Sequence, residues 1–267
     1  MRPVLVAQLT DTHIVANGGS TLLFSQPAMH LRHAVHFLNA LTPRPDAVLF
    51  TGDLAHTGAD VEYALLRTIL AELTLPYFVT VGNHDCHEAF RRAFADAPYL
   101  RGTGRPVNFA VDVGDLRIVA IDSTVRRPRA AAGVSRRTLA WLDATLNEAP
   151  DRPTLMAMHH PPFRSGLVYF DILGFRRLRQ LGELVSRHRH VRLIVAGHVH
   201  RAMVAAWRGV TARTSLSTAP QTVPLVFHRG FLSLEHHPPG FTLHRFDDAG
   251  VESSTYVGDG RGAFSAE

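Results

Sequence analysis

Short apolar runs alternate with amphipathic helical patterns over the first three quarters of the chain. Seven runs rich in β-branched residues predict strands, at residues 4–10, 47–52, 77–82, 108–113, 116–122, 154–159 and 191–197. Between them, apolar residues recur every three or four positions and predict helices over residues 28–41, 61–73 and 135–147, with Asp60 and Ser135 as N-caps of the last two. This alternation is typical of α/β architecture.

The pattern changes after residue 200, where short segments with alternating or β-branched residues are separated by turn residues. They predict a mostly antiparallel sheet. Because no long linker interrupts the chain, we expect one domain over residues 1–257, in which residues 202–257 form a mostly β part that caps the domain or contacts another subunit. Residues 258–267, rich in glycine, predict a flexible tail.

The composition excludes several classes of protein. With 267 residues, of which 46% are hydrophobic, the chain can bury a large core. No apolar leader follows Met1 and no run is long enough to span a bilayer, so we expect a cytoplasmic protein without membrane contact. Cys86 is the single cysteine, which excludes an intrachain disulfide and a thiolate zinc cluster. Any metal site must therefore use His, Asp, Glu or Asn.

A net charge of +5 raises the question of nucleic-acid binding. The densest basic cluster, residues 176–192, also carries Leu178, Leu181, Leu184 and Val185 at helical spacing. This pattern favours the solvated side of an amphipathic helix over a nucleic-acid interface. Nucleic acid is therefore not the partner that the sequence favours.

Metal-ligand residues follow five of the predicted strands directly. The five stretches are Asp11-Thr12-His13, Gly52-Asp53, Gly82-Asn83-His84-Asp85, His159-His160 and Gly197-His198-Val199-His200. Loops beyond the carboxyl ends of strands gather at one edge of an α/β sheet and form ligand sites. Side chains two residues apart on an extended backbone point the same way, so each Asp-x-His or His-x-His pair can reach one cluster. The sequence therefore predicts a metal centre.

This series of motifs, DTH, GD, GNHD, HHPP and GHVH, resembles the calcineurin-like metallophosphoesterase superfamily. Within it, the chain resembles the bacterial class III cyclic nucleotide phosphodiesterases and glycerophosphodiesterases, over about residues 4–200. The resemblance implies a four-layer α/β/β/α sandwich of two mixed β-sheets flanked by helices. It also implies two divalent metal ions, and ligands of this type suit Mn, Fe, Co or Zn.

The resemblance assigns seven ligands to these ions. The first ion takes Asp11, His13, Asp53 and His200, and the second takes Asp53, Asn83, His159 and His198, with Asp53 bridging. Two such ions lower the pKa of bound water and clamp phosphate oxygens, so the expected reaction is in-line attack by a metal hydroxide on phosphorus.

The resemblance also implies roles for the residues beside the ligands. His84 matches a histidine that assists the leaving group, and Asp85 is expected to orient it. His160 is expected beside the ligands or at the pocket wall. His56 either lines the substrate pocket or faces water, and the sequence leaves this open.

The leading functional prediction is a phosphodiesterase for a small diester, either a 3′,5′-cyclic nucleotide or a glycerophosphodiester. The alternatives are a nuclease, a broad phosphomonoesterase and a non-catalytic scaffold, the last disfavoured because no ligand is substituted. Pro224 stands where glycerophosphodiesterase-like relatives carry a histidine, which weakens transfer of their substrate range.

The resemblance implies a homo-oligomer, and the apolar residues 163–175 predict a lid or a subunit contact. A second His-His-Pro-Pro, residues 236–239, is predicted to be a turn.

Overall fold

The computed structural model of the chain describes residues 2–16, 19, 26–102, 106–125, 131–219, 221–228 and 231–266. The strands in this part of the chain are β1 (Val4–Leu9), β2 (Ala47–Phe50), β3 (Tyr77–Val79), β4 (Phe109–Val113), β5 (Leu116–Ala120), β6 (Ala132–Gly133), β7 (Thr154–Ala157), β8 (Phe175–Arg176), β9 (Val191–Ala196), β10 (Met203–Trp207), β11 (Val210–Thr214), β12 (Gln221–His228), β13 (Phe231–His237), β14 (Gly240–Asp247), β15 (Gly250–Gly258) and β16 (Phe264–Ala266).

The described α-helices lie between the strands of the first three quarters of the chain. They are α1 (Pro27–Ala40), α2 (Asp60–Leu70), α3 (His87–Ala93), α4 (Arg136–Asn147), α5 (Val168–Asp171) and α6 (Leu178–Val185). A search of the described residues finds no helix with the length and apolar character that crossing a membrane requires.

Two six-stranded mixed sheets form the centre of the fold. The first has the order β16-β15-β14-β1-β2-β3, in which β1, β2 and β3 are parallel and β14, β15 and β16 run antiparallel to their neighbours. The second has the order β10-β11-β9-β7-β5-β4, with parallel strands at its centre and antiparallel pairs at both edges. Every strand that carries predicted ligands at its carboxyl end is one of these parallel strands.

Alternation along strand β9 shows how the layers stack. Leu193 and Val195 belong to the buried cluster that includes the first sheet, whereas Ile194 and Ala196 belong to the cluster formed with α4 and α6. Because successive side chains of a strand point to opposite faces, the second sheet lies between the first sheet and these helices. Helices α1 and α2 cover the other face of the first sheet. The predicted four-layer α/β/β/α sandwich is confirmed.

Two N-cap residues were predicted, Asp60 and Ser135, and the structure confirms Ser135. The Ser135 side chain accepts a hydrogen bond from the backbone N–H of Thr138, as expected of an N-cap. Asp60 is instead the first residue of α2, and the cap position belongs to Ala59. The carboxylate of Glu62, the third residue of the helix, accepts the N–H groups of Ala59 and of the two residues before it, so Glu62 fixes the chain where it enters the helix.

The C-terminal part departs from the prediction at two points. Phe264–Ala266 lies in the segment predicted as a tail, but it forms β16 and pairs with β15. The reason is apolar packing, since the Phe264 ring lies 5.2 Å from the rings of both Phe37 and Phe241. His236 and His237 end strand β13 rather than forming a turn, and the chain leaves the strand at the two prolines that follow.

Candidate metal centre

The loops after the parallel strands of both sheets meet at one place. The backbone N–H of Asp11 donates to the carbonyl of Gly52 at 3.0 Å, which joins the loops after β1 and β2. The N–H of His198 donates to the Asp11 carboxylate at 3.0 Å and so links the second sheet to the first. The Asp11 carbonyl accepts a hydrogen bond from Ser217 Oγ. Loops of both sheets are therefore fixed around Asp11 by hydrogen bonds.

The predicted ligands of the first ion lie together. His200 Nε2 is 3.0 Å from Asp11 Oδ1 and 3.2 Å from His13 Nε2. His13 Nε2 is also 3.8 Å from Asp53 Oδ2. All four side chains are more than nine-tenths buried. Asp11, His13 and His200 lie close enough together to hold a metal ion, and Asp53 lies beside His13.

The predicted ligands of the second ion form an adjacent cluster that shares Asp53. His159 Nε2 lies 3.3 Å from Asp53 Oδ2 and 3.1 Å from Asn83 Oδ1. The His198 ring lies 5.1 Å from that of His159, measured between centroids. Asp53 thus faces donor atoms of both clusters, as a bridging carboxylate must.

Most of these ligands have a backbone conformation that the sequence analysis did not foresee. Five of them have positive φ angles: Asp11 (52°), His13 (41°), Asp53 (51°), His198 (71°) and His200 (56°). The expectation of an extended backbone at Asp-x-His and His-x-His is therefore wrong. Residues other than glycine rarely adopt a positive φ angle. Backbone strain of this kind concentrates at functional sites, where surrounding contacts hold it in place.

Two glycines allow the ligand loops to approach closely. A Cβ atom on Gly82 would collide with the Asp53 carboxylate and backbone, and one on Gly197 would collide with Thr10 Oγ1 and Asp11 Oδ2. Contact with the carboxylates of Asp53 and Asp11 therefore explains why glycine precedes Asn83 and His198.

The electrostatics of the site favour the protonation states that bind metal. Although burial opposes ionisation, neighbouring histidines hold the pKa of Asp53 well below its usual range and lower the pKa of Asp11. Burial lowers the pKa of His13 and His198 well below the ordinary histidine value, so both imidazoles are neutral. Ionised carboxylates and neutral imidazoles are the forms that coordinate divalent ions, so the donor set fits such a group.

His159 differs from the other ligand histidines. Burial lowers its pKa, but the carboxylates of Asp53 and Asp11 outweigh this effect and raise the pKa to about 9. A proton on this imidazole therefore balances the buried negative charge that a metal ion would otherwise balance. His159 Nδ1 donates to the Thr51 carbonyl at 2.9 Å, so Nε2 is the nitrogen aimed at Asp53 and Asn83.

His84 lies beside the first ion's ligands. Its ring is 4.8 Å from that of His13 and stacks on that of His56 at 5.5 Å. Its Nδ1 donates to the His56 carbonyl at 2.7 Å, and its backbone N–H donates to Asp53 Oδ1 at 2.8 Å. His56, whose role the sequence left open, therefore positions His84 through its carbonyl and its ring.

The predicted role of Asp85 is not what the structure shows. Its carboxylate accepts hydrogen bonds from the backbone N–H groups of Leu54, Ala55 and Gly82 and from Tyr63 Oη, at 2.8 to 3.1 Å. It is directed at the loop backbones, and His84 Nδ1 bonds to a carbonyl instead. Burial and the charge of Asp53 raise the pKa of Asp85, and these donors oppose that effect. Asp85 therefore joins the loops that carry Asp53 and Asn83.

Ser123 was missed by the sequence analysis. It follows β5, and its Oγ accepts the backbone N–H groups of His159 and His160 at 3.2 and 3.0 Å. It also lies 2.9 Å from His160 Nδ1. The signal was its place directly beyond the carboxyl end of a central strand, where the other site residues lie.

The apolar residues 163–175 lie against the site. The Phe170 ring contacts the rings of His198 and His200, at 5.1 and 6.5 Å between centroids. Val168 and Ile172 on the same segment are 72% and 73% exposed. One side of residues 163–175 therefore covers two histidines that are predicted ligands, and the other side presents apolar surface.

A two-sheet α/β sandwich with buried carboxylates and histidines at the strand ends is the arrangement of a metal-dependent phosphoesterase. The model of the family described as calcineurin-like phosphoesterase matches residues 4–202, so the chain belongs to this family. The prediction of a phosphoesterase of this family is confirmed.

Named relatives and a solved structure agree with this assignment. The chain is 29% identical to a probable glycerophosphodiester phosphodiesterase GpdQ of Arcobacter nitrofigilis, over 98% of this chain and 96% of the relative. It is 34% identical to a probable cyclic nucleotide phosphodiesterase of Rhodopseudomonas palustris, over 87% of this chain and 85% of the relative. The crystal structure of a dimetal phosphatase from Danio rerio superimposes with a TM-score of 0.65 at 14% identity, covering 94% of this chain and 98% of that one, and supports the fold alone.

Proposed function

We propose that the protein is a dinuclear metal-dependent phosphodiesterase that hydrolyses small phosphodiesters, either 3′,5′-cyclic nucleotides or glycerophosphodiesters. The observation that carries the proposal is the pair of adjacent, buried donor clusters that share Asp53. The names of the relatives support a diester as the substrate, and they divide between the two substrate classes.

Asp11, His13, Asp53 and His200 would hold one ion, and Asp53, Asn83, His159 and His198 the other. Nitrogen and oxygen donors without sulfur suit Mn, Fe, Co or Zn. When bound, such ions polarise phosphate oxygens and make water a nucleophile near neutral pH. The chain keeps this chemistry in place through the strained ligand backbones and the hydrogen bonds between the loops.

We assign His84 to the leaving group. Its Nδ1 donates to the His56 carbonyl, so Nε2 is the nitrogen that we assign to the substrate. Donation of a proton to the departing oxygen requires the imidazolium form, in which Nδ1 keeps its bond to the carbonyl while Nε2 carries the second proton. Stacking on His56 and the backbone bond to Asp53 hold the ring in place for this step.

Asp85 supports the reaction through the loops. By accepting the N–H groups of Leu54, Ala55 and Gly82, it fixes the backbone on either side of Asp53 and just before Asn83. We therefore propose Asp85 as a positioning residue for the metal ligands, in place of the role in orienting His84.

We also propose a homo-oligomer. The exposed apolar side chains Val168 and Ile172 support a subunit contact at residues 163–175, because apolar surface beside a site commonly marks an interface. Light scattering of the protein and of a Val168→Ser, Ile172→Ser double variant tests this, and a monomeric mass for the unmodified protein contradicts it.

The test of the catalytic proposal begins with metal-free protein, to which Mn, Fe, Co or Zn is added. The value of kcat/KM is then measured for cyclic AMP, glycerophosphoethanolamine, the monoester p-nitrophenyl phosphate and single-stranded DNA. We expect at least one small diester to exceed both the monoester and DNA by about tenfold or more, which corresponds to ~1.4 kcal/mol. Preference for DNA would indicate a nuclease, and no turnover with any metal would indicate a non-catalytic scaffold.

A further inference from the structure

His160 presents a buried hydrogen-bond donor that the steps above do not use. Ser123 Oγ accepts two backbone N–H groups, so its own hydrogen is directed to His160 Nδ1 at 2.9 Å. Nδ1 is therefore the acceptor nitrogen, and Nε2 carries the hydrogen. The side chain is 1% exposed, and Nε2 is buried without a hydrogen-bond partner among the described residues. Leaving such a group unpaired is unfavourable, which points to a ligand that accepts from it.

A cavity of about 200 Å³ begins at this histidine. Its walls include His160, the predicted metal ligand His198 and the rings of Phe163, Phe170 and Phe175. Because His198 forms part of the wall, a phosphate held at the metal centre would extend its organic group into the cavity.

Hydrogen bonds within residues 163–175 hold the wall of the cavity that contains Asp171. The carboxylate of Asp171 accepts from the backbone N–H and Oγ of Ser165 and from the N–H of Gly166, at 2.8 to 2.9 Å. The carboxylate that lines the cavity is therefore already engaged, and the aromatic rings beside it are fixed before a ligand enters.

The chemistry of these walls discriminates between the two substrate classes. A glycerol group carries hydroxyls that each require a partner once buried, and the phenyl rings supply none. Of the two charged residues in the wall, Asp171 is already engaged and Arg164 is exposed to solvent. A planar heteroaromatic ring packs its faces against phenyl rings and needs a donor for a ring nitrogen or carbonyl at its edge. The His160 Nε2–H, which lies among aromatic side chains, therefore fits a heteroaromatic ring better than a glycerol group.

We propose that His160 is a substrate-binding residue whose Nε2–H donates to a nucleobase held in the cavity formed with Phe163, Phe170 and Phe175. This inference rests on the proposed phosphodiesterase function. It makes a nucleoside-containing diester the preferred substrate class and makes the HHPP motif bifunctional, with His159 facing the metals and His160 facing the base.

The test compares His160→Leu, which removes the donor, with His160→Gln, whose amide N–H can replace it. Metal content, kcat and KM are measured for cyclic AMP and for glycerophosphoethanolamine, which has no aromatic group. We expect His160→Leu to keep its metals, to raise KM for cyclic AMP about 5- to 10-fold, as for loss of one neutral hydrogen bond, and to change KM for glycerophosphoethanolamine less than about twofold. His160→Gln should recover part of the affinity for cyclic AMP.

The aromatic wall is tested by Phe170→Ala against Ile172→Ala, a change on the same segment at a 73% exposed side chain. Only the first should raise KM for cyclic AMP. Equal KM changes for both substrates in His160→Leu, or loss of metal from that variant, would overturn the inference.

A further measurement separates failure of this inference from failure of the proposed function. Binding of adenosine 5′-monophosphate and of inorganic phosphate to the metal-loaded protein is measured by calorimetry. If no diester is hydrolysed, weaker nucleotide binding by His160→Leu with unchanged phosphate binding still supports the base site. Unchanged nucleotide binding overturns it.

Discussion

Replacing Asp85 with asparagine tests whether this residue holds the metal-binding loops together. In the structure, Oδ2 accepts from Leu54 and Gly82 and Oδ1 accepts from Ala55 and Tyr63. Asparagine keeps one oxygen and places an NH2 group where the other was. With the NH2 group at the Oδ2 position, the bonds from Leu54 and Gly82 are lost. With the NH2 group at the Oδ1 position, the bond from Ala55 is lost and the Tyr63 hydroxyl has to accept instead of donating.

The magnitude follows from these bonds. Each bond to a buried carboxylate contributes about 1.5–3 kcal/mol, so losing one or two costs roughly 1.5–6 kcal/mol. Asparagine also removes a buried charge close to Asp53, a repulsion seen in the raised pKa of Asp85, and this offsets part of the loss. We therefore expect a net destabilisation of about 1–4 kcal/mol and a fall in Tm of roughly 3–12 °C.

The assay is thermal unfolding of the protein and of its variants at one fixed metal concentration, together with the pH profile of kcat/KM. Tyr63→Phe is the comparison variant, because it removes the hydroxyl that donates to Asp85 and accepts the Cys86 N–H but leaves the three backbone donors to Asp85 in place. The pH profile of Asp85→Asn should keep its shape at saturating metal. An unchanged Tm with a shifted pH profile would refute the reasoning and restore the idea that Asp85 orients His84.

Three further predictions concern the site and the core. His84→Ala should keep its metal content and lower kcat about 10²-fold, the scale of a positioned acid, and near-normal turnover would contradict the assignment. His159→Ala should lose metal whereas His236→Ala should not, so equal metal content in both would contradict the opposite roles of the two HHPP copies. Burial lowers the pKa of His244 to about 3, so between pH 6.5 and 3 the unfolded chain binds a proton that the native protein does not, and stability falls as the pH is lowered. By pH 5 this residue should cost about 2 kcal/mol, and urea unfolding of His244→Gln should show a flatter pH dependence; an identical slope would count against it.

The order of elements and the position of the site could be predicted from the sequence because both depend on local patterns. The strand over residues 191–197 was visible as an apolar run, and His198 and His200 follow it directly. Parallel strands place their carboxyl ends at one edge of a sheet. Residues that follow such strands can therefore be predicted to lie together even when they are far apart in the chain.

Side-chain partners could not be predicted in the same way. The sequence order of His84 and Asp85 suggested a pair, but adjacent residues in this loop face different partners, and Asp85 meets Leu54 and Tyr63, which are 31 and 22 positions away. The positive φ angles of the ligands have no local signal either, because their cause is contact with neighbouring loops. Strand β16 was not predicted, because its pairing depends on the packing of Phe264 against Phe37 and Phe241.

The most direct test of the dinuclear centre is a titration of metal-free protein with Mn or Zn, in which bound metal per chain and turnover of a small diester are followed together. The account predicts that activity rises to a plateau at two bound ions per chain, and that Asp53→Asn, which alters the residue facing both clusters, binds fewer than two. A plateau at one ion, or full activity without metal, would contradict it.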